Sequence, residues 1–168
     1  GLVNGIGMGQ IGLPDIQRPF VWSNAKVRDL FDSMYRGYPV GFFLFWETGA
    51  DGVETKVIGD TNKQKTPSLL IVDGQQRLTS LYAVIRREAV LRENFEREHI
   101  RIAFRPQNGT FAVPDATTER DPEYILDISE VFNRPTHKTI AEYLKRLSAA
   151  RDVSDAEEEK VAEASHTL

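Results

Sequence analysis

The sequence contains no cysteine. Disulfide bonds and thiolate metal ligands are therefore excluded, and the composition suits a cytoplasmic protein. No run of 18 apolar residues occurs, so we expect no membrane span. The histidines, His99, His137 and His166, are scattered without a second ligand at helical spacing, and no histidine metal site is predicted.

An excess of basic charge is also missing. The chain has 21 basic and 25 acidic residues and a net charge of −4, which excludes a basic field over the whole chain for nucleic acid. Arginines are concentrated between residues 77 and 105, but glutamates alternate with them. This pattern favours a solvated helix face with ion pairs over a track for DNA. No Walker A loop is present, so ordinary P-loop chemistry is not predicted.

The most informative stretch surrounds Asp73 and Gly74. Four apolar residues, 69–72, run directly into this pair, and from Leu78 to Ala89 apolar residues recur at helical spacing. The pattern predicts a buried strand, a tight turn and an amphipathic helix. The first turn of such a helix has unpaired N–H groups and the positive end of the dipole, so it is a natural anion site.

Arg77 is an unfavourable residue for the first turn of this predicted helix. A cation in the first turn opposes the helix dipole by roughly 0.3 to 1 kcal/mol. A residue that does so without visible gain is a candidate for function. With Gln75, Gln76 and Asp73 beside it, Arg77 indicates a site for a polyanion and its counter-ion, and phosphate is the first hypothesis. Asp73 has an alternative role as a helix N-cap alone.

A second polar pair, Gln17 and Arg18, lies between Pro14 and Pro19. The prolines exclude a helix interior and favour extended backbone, and Phe20 and Trp22 are expected to anchor the segment. A stiff segment that carries a polar pair suits a binding loop, whereas the alternative is a surface turn with Arg18 in solvent.

The rest of the chain predicts a mixed α+β fold. A helix capped by Ser23 or Asn24 is expected to end at Gly37, and the apolar run 41–46 predicts a strand buried on both faces. Residues 47–68 are polar and are expected to form a mobile excursion with a short strand at 53–58.

Both ends of the chain have little apolar character. Residues 1–12 are interpreted as a flexible lead-in. A hairpin is predicted across 100–113, then helices at 139–147 and 155–164. The last helix is acidic, and we expect it to pack on something outside this chain or to fray.

Three motifs together resemble one family. Leu13-Pro14-Asp15-Ile16-Gln17-Arg18-Pro19-Phe20-Val21-Trp22, Tyr38-Pro39-Val40-Gly41 and Val72-Asp73-Gly74-Gln75-Gln76-Arg77-Leu78-Thr79 are similar, in this order, to the N-terminal domain of GmrSD-type, modification-dependent restriction enzymes. The likeness runs from about Ile11 to Phe132. Such domains look like the ParB/sulfiredoxin fold, a small mixed sheet with packed helices, followed here by a helical tail.

The resemblance implies binding and hydrolysis of a nucleoside triphosphate that controls cleavage of modified DNA in defence against phage. Asp73, Gln76 and Arg77 match catalytic positions, and Gln17, Arg18, Gly74, Gln75 and Thr79 match nucleotide-binding positions. Arg77 would neutralise phosphate oxygens, Asp73 would hold Mg²⁺ or orient water, and Gln76 would position water or an oxygen.

The same resemblance sets the expected organisation and partners. Residues 1–133 are predicted to be the ParB-like domain with the Asp-Gly-Gln-Gln-Arg motif, and residues 134–168 the start of a truncated helical region. A C-terminal nuclease domain or subunit and modified DNA, reached through the full-length protein, are the implied partners, and a homodimer is left open. No nuclease site is expected in this chain. The rival hypotheses are a DNA-binding or protein-docking module without turnover, and a structural domain with a dead site.

Overall fold

The computed structural model of the chain describes residues 1–14, 19–48, 55–56 and 67–168. The predicted mixed α+β class is confirmed. The helices are α1 Leu2–Gly7, α2 Asn24–Tyr35, α3 Gln75–Arg86, α4 Ser129–Asn133, α5 Thr136–Ala150 and α6 Asp155–Thr167. The strands are β1 Ile11–Pro14, β2 Leu44–Glu47, β3 Thr55–Lys56, β4 Leu69–Asp73, β5 Ala89–Leu91, β6 Arg97–His99, β7 Ala103–Arg105 and β8 Thr110–Ala112.

The strand that precedes Gly74 lies inside the largest sheet. The order of this sheet is β2-β4-β1-β3, with β4 antiparallel to β2 and parallel to β1. The short β3 pairs antiparallel with β1 and falls within the predicted strand at 53–58. The interior position of β4 fixes the point at which the chain turns into α3.

One face of this sheet packs against α1 and α3. Ile11 and Ile71 from the strands are buried with Ile6, Leu78 and Tyr82 from the helices. The prediction of a flexible lead-in at residues 1–12 is therefore wrong, because α1 buries Ile6 against this core and β1 pairs with β4. The glycine-rich sequence does not predict this short helix, because the stability of the helix comes from tertiary packing.

The prediction that strand 41–46 is buried on both faces is also wrong. Strand β2 is at the edge of the sheet, and only Phe43 and Phe45 of this run pack against the core. Phe42, Leu44 and Trp46 are exposed. An uninterrupted apolar run does not distinguish a central strand from an edge strand with one apolar outer face.

The helix predicted after Ser23 is confirmed. The Ser23 side chain accepts the Lys26 N–H at 3.3 Å, which caps α2, and the Tyr38 N–H closes the other end on the Ser33 carbonyl at 2.8 Å. The buried face of α2 consists of Val27, Leu30 and Phe31.

Residues 87–99 do not continue the helix. Arg87 has φ +58, and the chain then forms the hairpin β5–β6, in which Ala89 pairs with His99. The predicted helix face with ion pairs is wrong here, although Arg92 and Glu98 do pair at 2.7 Å, across the two strands. Arginines and glutamates mixed with apolar residues suit an exposed hairpin as well as a helix, and the left-handed backbone of Arg87 ends the helix before this stretch.

The hairpin β7–β8 and the two last helices follow the predictions. Tyr143 and Leu147 of α5 are buried with Val161 of α6. The expectation that the last helix frays or needs an outside partner is therefore wrong within this chain. Its buried face is small and consists of Val161, Ala164 and Ser165.

The chain divides into two compact units. The first consists of Gly1–Trp22, Gly41–Ala83 and Arg87–His99, and the second of Ser23–Val40, Val84–Arg86 and Ile100–Leu168. The domain boundary at residue 133 stays a prediction. None of the helices in the described ranges has the length and apolar character that crossing a membrane requires.

Candidate functional site

The turn between β4 and α3 requires a glycine. Gly74 has φ +88, and a Cβ atom there would lie 2.7 Å from Cδ1 of Phe43 and 3.1 Å from Nη2 of Arg77. A left-handed backbone and this close approach both exclude larger residues. The turn thereby directs the first N–H groups of α3 and the Asp73 carboxylate to the same end of the strand.

Arg77 folds back over this turn. Its Nη2 donates to the Phe42 carbonyl at 2.8 Å and lies 3.4 Å from Oδ2 of Asp73. The Arg77 side chain is only 17% exposed, whereas the Asp73 side chain is 74% exposed. The guanidinium is thus held in place beside a carboxylate that faces solvent.

The Arg77 guanidinium packs against residues 41–43. Cζ of Arg77 lies 5.1 Å from the centroid of the Phe43 ring, at cation–π distance. Arg77 Nη1 occupies the place that a Cβ on Gly41 would take. These contacts offset the unfavourable position of a cation at a helix N-terminus, so the structure gives Arg77 the local compensation that the sequence did not show.

The two glutamines of the turn have different partners. Nε2 of Gln75 donates to the Ile71 carbonyl at 3.3 Å, within its own strand and turn. Gln76 instead reaches a distant segment: its Oε1 accepts the Val21 N–H at 3.0 Å, and its Nε2 donates to the Pro19 carbonyl at 3.4 Å. The Gln76 amide therefore ties residues 19–21 to the first turn of α3.

A second set of contacts holds the same segment from the hairpin β5–β6. The Phe20 N–H donates to the Leu91 carbonyl at 3.0 Å, and Arg92 donates to the Trp22 carbonyl. The guanidinium of Arg92 lies 5.0 Å from the centroid of the Phe20 ring. The predicted anchoring role of Phe20 is confirmed, since this ring is buried.

The predicted site residues fall into three groups. Asp73, Gly74 and Arg77 are in direct contact, and Gln75 and Gln76 begin the same helix. Thr79 is half-buried on α3. Gln17 and Arg18 lie outside the described residues, as does most of the predicted excursion at 47–68. Pro19, which follows Arg18 in the sequence, is bonded to Gln76.

The donor set suits Mg²⁺ only in the presence of phosphate. Among the described residues, no three histidine, aspartate or glutamate side chains are grouped so that they could hold a metal ion. Mg²⁺ is commonly bound by one or two carboxylates together with substrate phosphates and water. The exposed carboxylate of Asp73 is one oxygen donor of this kind, at the N-terminus of α3.

Gly41, Phe42 and Phe43 are not among the site residues predicted from the sequence. All three contact Arg77 through a carbonyl, a ring or close backbone packing. A signal was present, because Gly41 ends one of the three motifs and the aromatic run follows it directly.

The second unit contains a cavity of about 150 Å³ beside Tyr124 and Arg146. Of its lining side chains, Glu119 pairs with Arg101 at 3.0 Å, Asp121 pairs with Arg105, and Arg146 donates to the Tyr124 carbonyl at 2.6 Å.

Comparison with known proteins gives two findings. The family described as GmrSD restriction endonuclease, N-terminal domain, matches residues 1–166. An uncharacterised protein of Methanocaldococcus jannaschii is 34% identical over 85 residues, which cover 46% of this chain and 15% of that protein. The match thus spans a small part of the curated relative.

Proposed function

Because this chain belongs to the family of GmrSD restriction endonuclease N-terminal domains, we propose that it is a regulatory module that binds and hydrolyses a nucleoside triphosphate. The observation that carries the proposal is the turn at Gly74, where a fixed guanidinium and an exposed carboxylate flank the N-terminus of α3. N–H groups, positive dipole and guanidinium together suit phosphate oxygens.

The proposed roles follow from the exposure and contacts of each side chain. Arg77 supplies positive charge at a position that the Phe42 carbonyl and the Phe43 ring fix in advance. Preorganised charge of this kind stabilises an anion without reorganisation. Asp73 faces solvent and is the proposed ligand of Mg²⁺ or the group that orients the attacking water. Water then displaces the nucleoside diphosphate and yields inorganic phosphate.

Gln76 has a more specific role in this proposal than orienting water. Its amide bonds the backbone of Pro19 and Val21. We propose that it holds Pro19 and Val21 beside the first turn of α3, and that Gln17 and Arg18 bind the nucleotide. Gly74 and Gln75 complete the turn, and Thr79 is the proposed contact from the second turn of α3.

The remaining proposals concern the protein as a whole. The strand, turn and helix of β4 and α3 support a ParB/sulfiredoxin-like fold. The chain would act in the cytoplasm as part of a modification-dependent restriction system for phage defence. Cleavage of modified DNA is assigned to a C-terminal nuclease domain or subunit, and dimerisation is proposed for the assembled enzyme. The purified chain is expected not to nick modified plasmid DNA in Mg²⁺ or Mn²⁺.

The direct test measures nucleotide binding. A thermal-shift panel of four nucleoside triphosphates, each with and without Mg²⁺, should show saturable stabilisation by at least one of them. Arg77→Gln should weaken that affinity by about tenfold to a hundredfold, because hydrogen bonds to charged groups contribute roughly 1.5 to 3 kcal/mol. Turnover, measured as phosphate release, should fall in Arg77→Gln and in Asp73→Asn.

A matched arginine controls for the general loss of charge. Arg97→Gln removes an exposed cation from β6 in the same unit and should leave affinity and turnover unchanged. Unchanged nucleotide binding in folded Arg77→Gln would reject the site. Binding to DNA that falls steeply with salt, without any response to nucleotide, would favour the DNA-binding alternative instead.

A further inference from the structure

An aromatic ring stands in solvent beside the proposed phosphate site. Phe42 is 92% exposed, whereas the adjacent Phe43 packs against the core. Single exposed apolar side chains are common on protein surfaces, so exposure alone indicates nothing. The position of this residue is what distinguishes it.

The backbone around Phe42 is fixed by Arg77 itself. The Phe42 carbonyl accepts Nη2 of Arg77 at 2.8 Å, Gly41 packs against Nη1, and the Phe43 ring lies 5.1 Å from Cζ. Three successive residues thus hold the guanidinium, and the middle one directs its ring into solvent. The same contacts that position the cation also fix the backbone from which this ring projects.

We propose that the Phe42 ring is the stacking surface for the base of the nucleotide whose phosphates bind at the N-terminus of α3. This inference rests on the proposed function and adds the second half of the ligand to it. A nucleotide combines an anionic chain with a flat aromatic base, and the site combines a guanidinium with an exposed aromatic ring. Stacking tolerates every base, so the contribution of Phe42 should be similar for all four nucleotides.

The chemistry around the ring agrees with this ligand. Leu44 and Trp46 are exposed on the same edge strand, and Val72 is exposed on the neighbouring β4. The surface that continues from Phe42 is therefore apolar, as a base requires. Among the described residues, Asp73 and Arg77 carry charge at the turn where the phosphates are proposed to lie, and Glu47 is at the other end of β2.

The test compares nucleoside triphosphate with tripolyphosphate, which has the phosphates but no base. Both are titrated by calorimetry in Mg²⁺ against the wild-type chain, Phe42→Ala and Phe42→Trp. Base–aromatic stacking contributes roughly 1 to 3 kcal/mol, so Phe42→Ala should weaken nucleotide affinity by between about fivefold and about a hundredfold. Tripolyphosphate affinity should not change. Phe42→Trp should retain nucleotide affinity, and its indole fluorescence should be quenched by nucleotide and not by tripolyphosphate.

The chain offers a matched control in Phe95. This residue is 79% exposed, in the turn between β5 and β6 of the same unit. Phe95→Ala should leave both affinities unchanged.

The outcomes that overturn the inference are distinct from one another. Unchanged nucleotide affinity in Phe42→Ala rejects the stacking role, and equal loss for nucleotide and tripolyphosphate means that the substitution disturbs Arg77 instead. Loss of binding to a single-stranded oligonucleotide, with nucleotide binding intact, means that the base belongs to nucleic acid. If the wild-type chain binds neither nucleotide nor tripolyphosphate, the proposed function fails and this inference fails with it.

Discussion

Arg77 serves both the fold and the proposed site. Its contacts with the Phe42 carbonyl, the Phe43 ring and Asp73 stabilise the junction of β2, β4 and α3. The same contacts fix the guanidinium where an anion would meet the helix N-terminus. A substitution at Arg77 is therefore expected to lower stability as well as affinity, which is why the Asp73→Asn variant is needed beside it.

Gln76 and Gln75 differ in reach although they are adjacent. Gln76→Ala removes both bonds to the segment 19–21, and the free energy of unfolding should fall by about 1 to 3 kcal/mol, given roughly 0.5 to 1.5 kcal/mol for each bond. The Val21 amide should exchange faster with deuterium, because Gln76 is its hydrogen-bond acceptor. Denaturation and hydrogen exchange measure the two effects.

Gln75→Ala is the matched comparison for this prediction. Within the described part of the chain its amide bonds only the Ile71 carbonyl, so the variant should lose less stability and leave Val21 exchange unchanged. Equal acceleration at Val21 in both variants would contradict the specific role of Gln76.

At the scale of elements, α6 is held to α5 by a charged network as well as by Val161. Glu157 bonds Arg151 with both oxygens, at 2.8 and 3.2 Å, and also closes the capping box with Ser154. Arg151 in turn donates to Glu123 at 3.2 Å, and Glu123 lies 3.5 Å from Arg105. The ion pairs therefore connect α6 to the loop after β8.

This network makes the stability contributed by Glu157 depend on pH. The bond from Arg151 lowers the pKa of Glu157 from its ordinary 4.5 to about 2. A carboxyl whose pKa is lower in the folded state contributes stability above its unfolded pKa and loses it as the pH falls toward the folded value. Glu157→Gln should therefore lower the urea midpoint near neutral pH, and the difference from wild type should shrink between pH 4.5 and pH 2.

The neighbouring Glu158 provides the control, since it shares the first turn of α6 and differs in its contacts. Glu158→Gln should change the urea midpoint less than Glu157→Gln at neutral pH. A loss in Glu157→Gln that stays constant down to pH 2 would show that shape, rather than charge, accounts for the contribution.

At the scale of the whole molecule, the division into two compact units predicts where nucleotide acts. The proposed site residues of the described chain lie in the first unit, and α5 and α6 belong to the second. In hydrogen exchange with saturating Mg²⁺ and nucleotide, amides that open locally in residues 74–78, 19–22 and 41–43 should be protected. Locally opening amides of α5 and α6 should keep their rates. Absence of protection at 74–78 would contradict the site.

The sequence by itself determined several individual helices and strands of this protein. The apolar run before Asp73 and the helical spacing after it defined β4 and α3, Ser23 defined the start of α2, and three motifs indicated the family. These succeed because capping, turn chemistry and periodicity act over a few residues.

Only the tertiary structure decided what each helix and strand packs against. Four features depend on partners distant in the chain. They are the exposed outer face of β2, the burial of α1, the hairpin at 89–99 and the packing of α6 against α5. The same is true of Gln76, whose bonds cross 55 and 57 positions of sequence. Local sequence patterns do not specify these distant partners, because burial depends on which surfaces pack together in the folded chain.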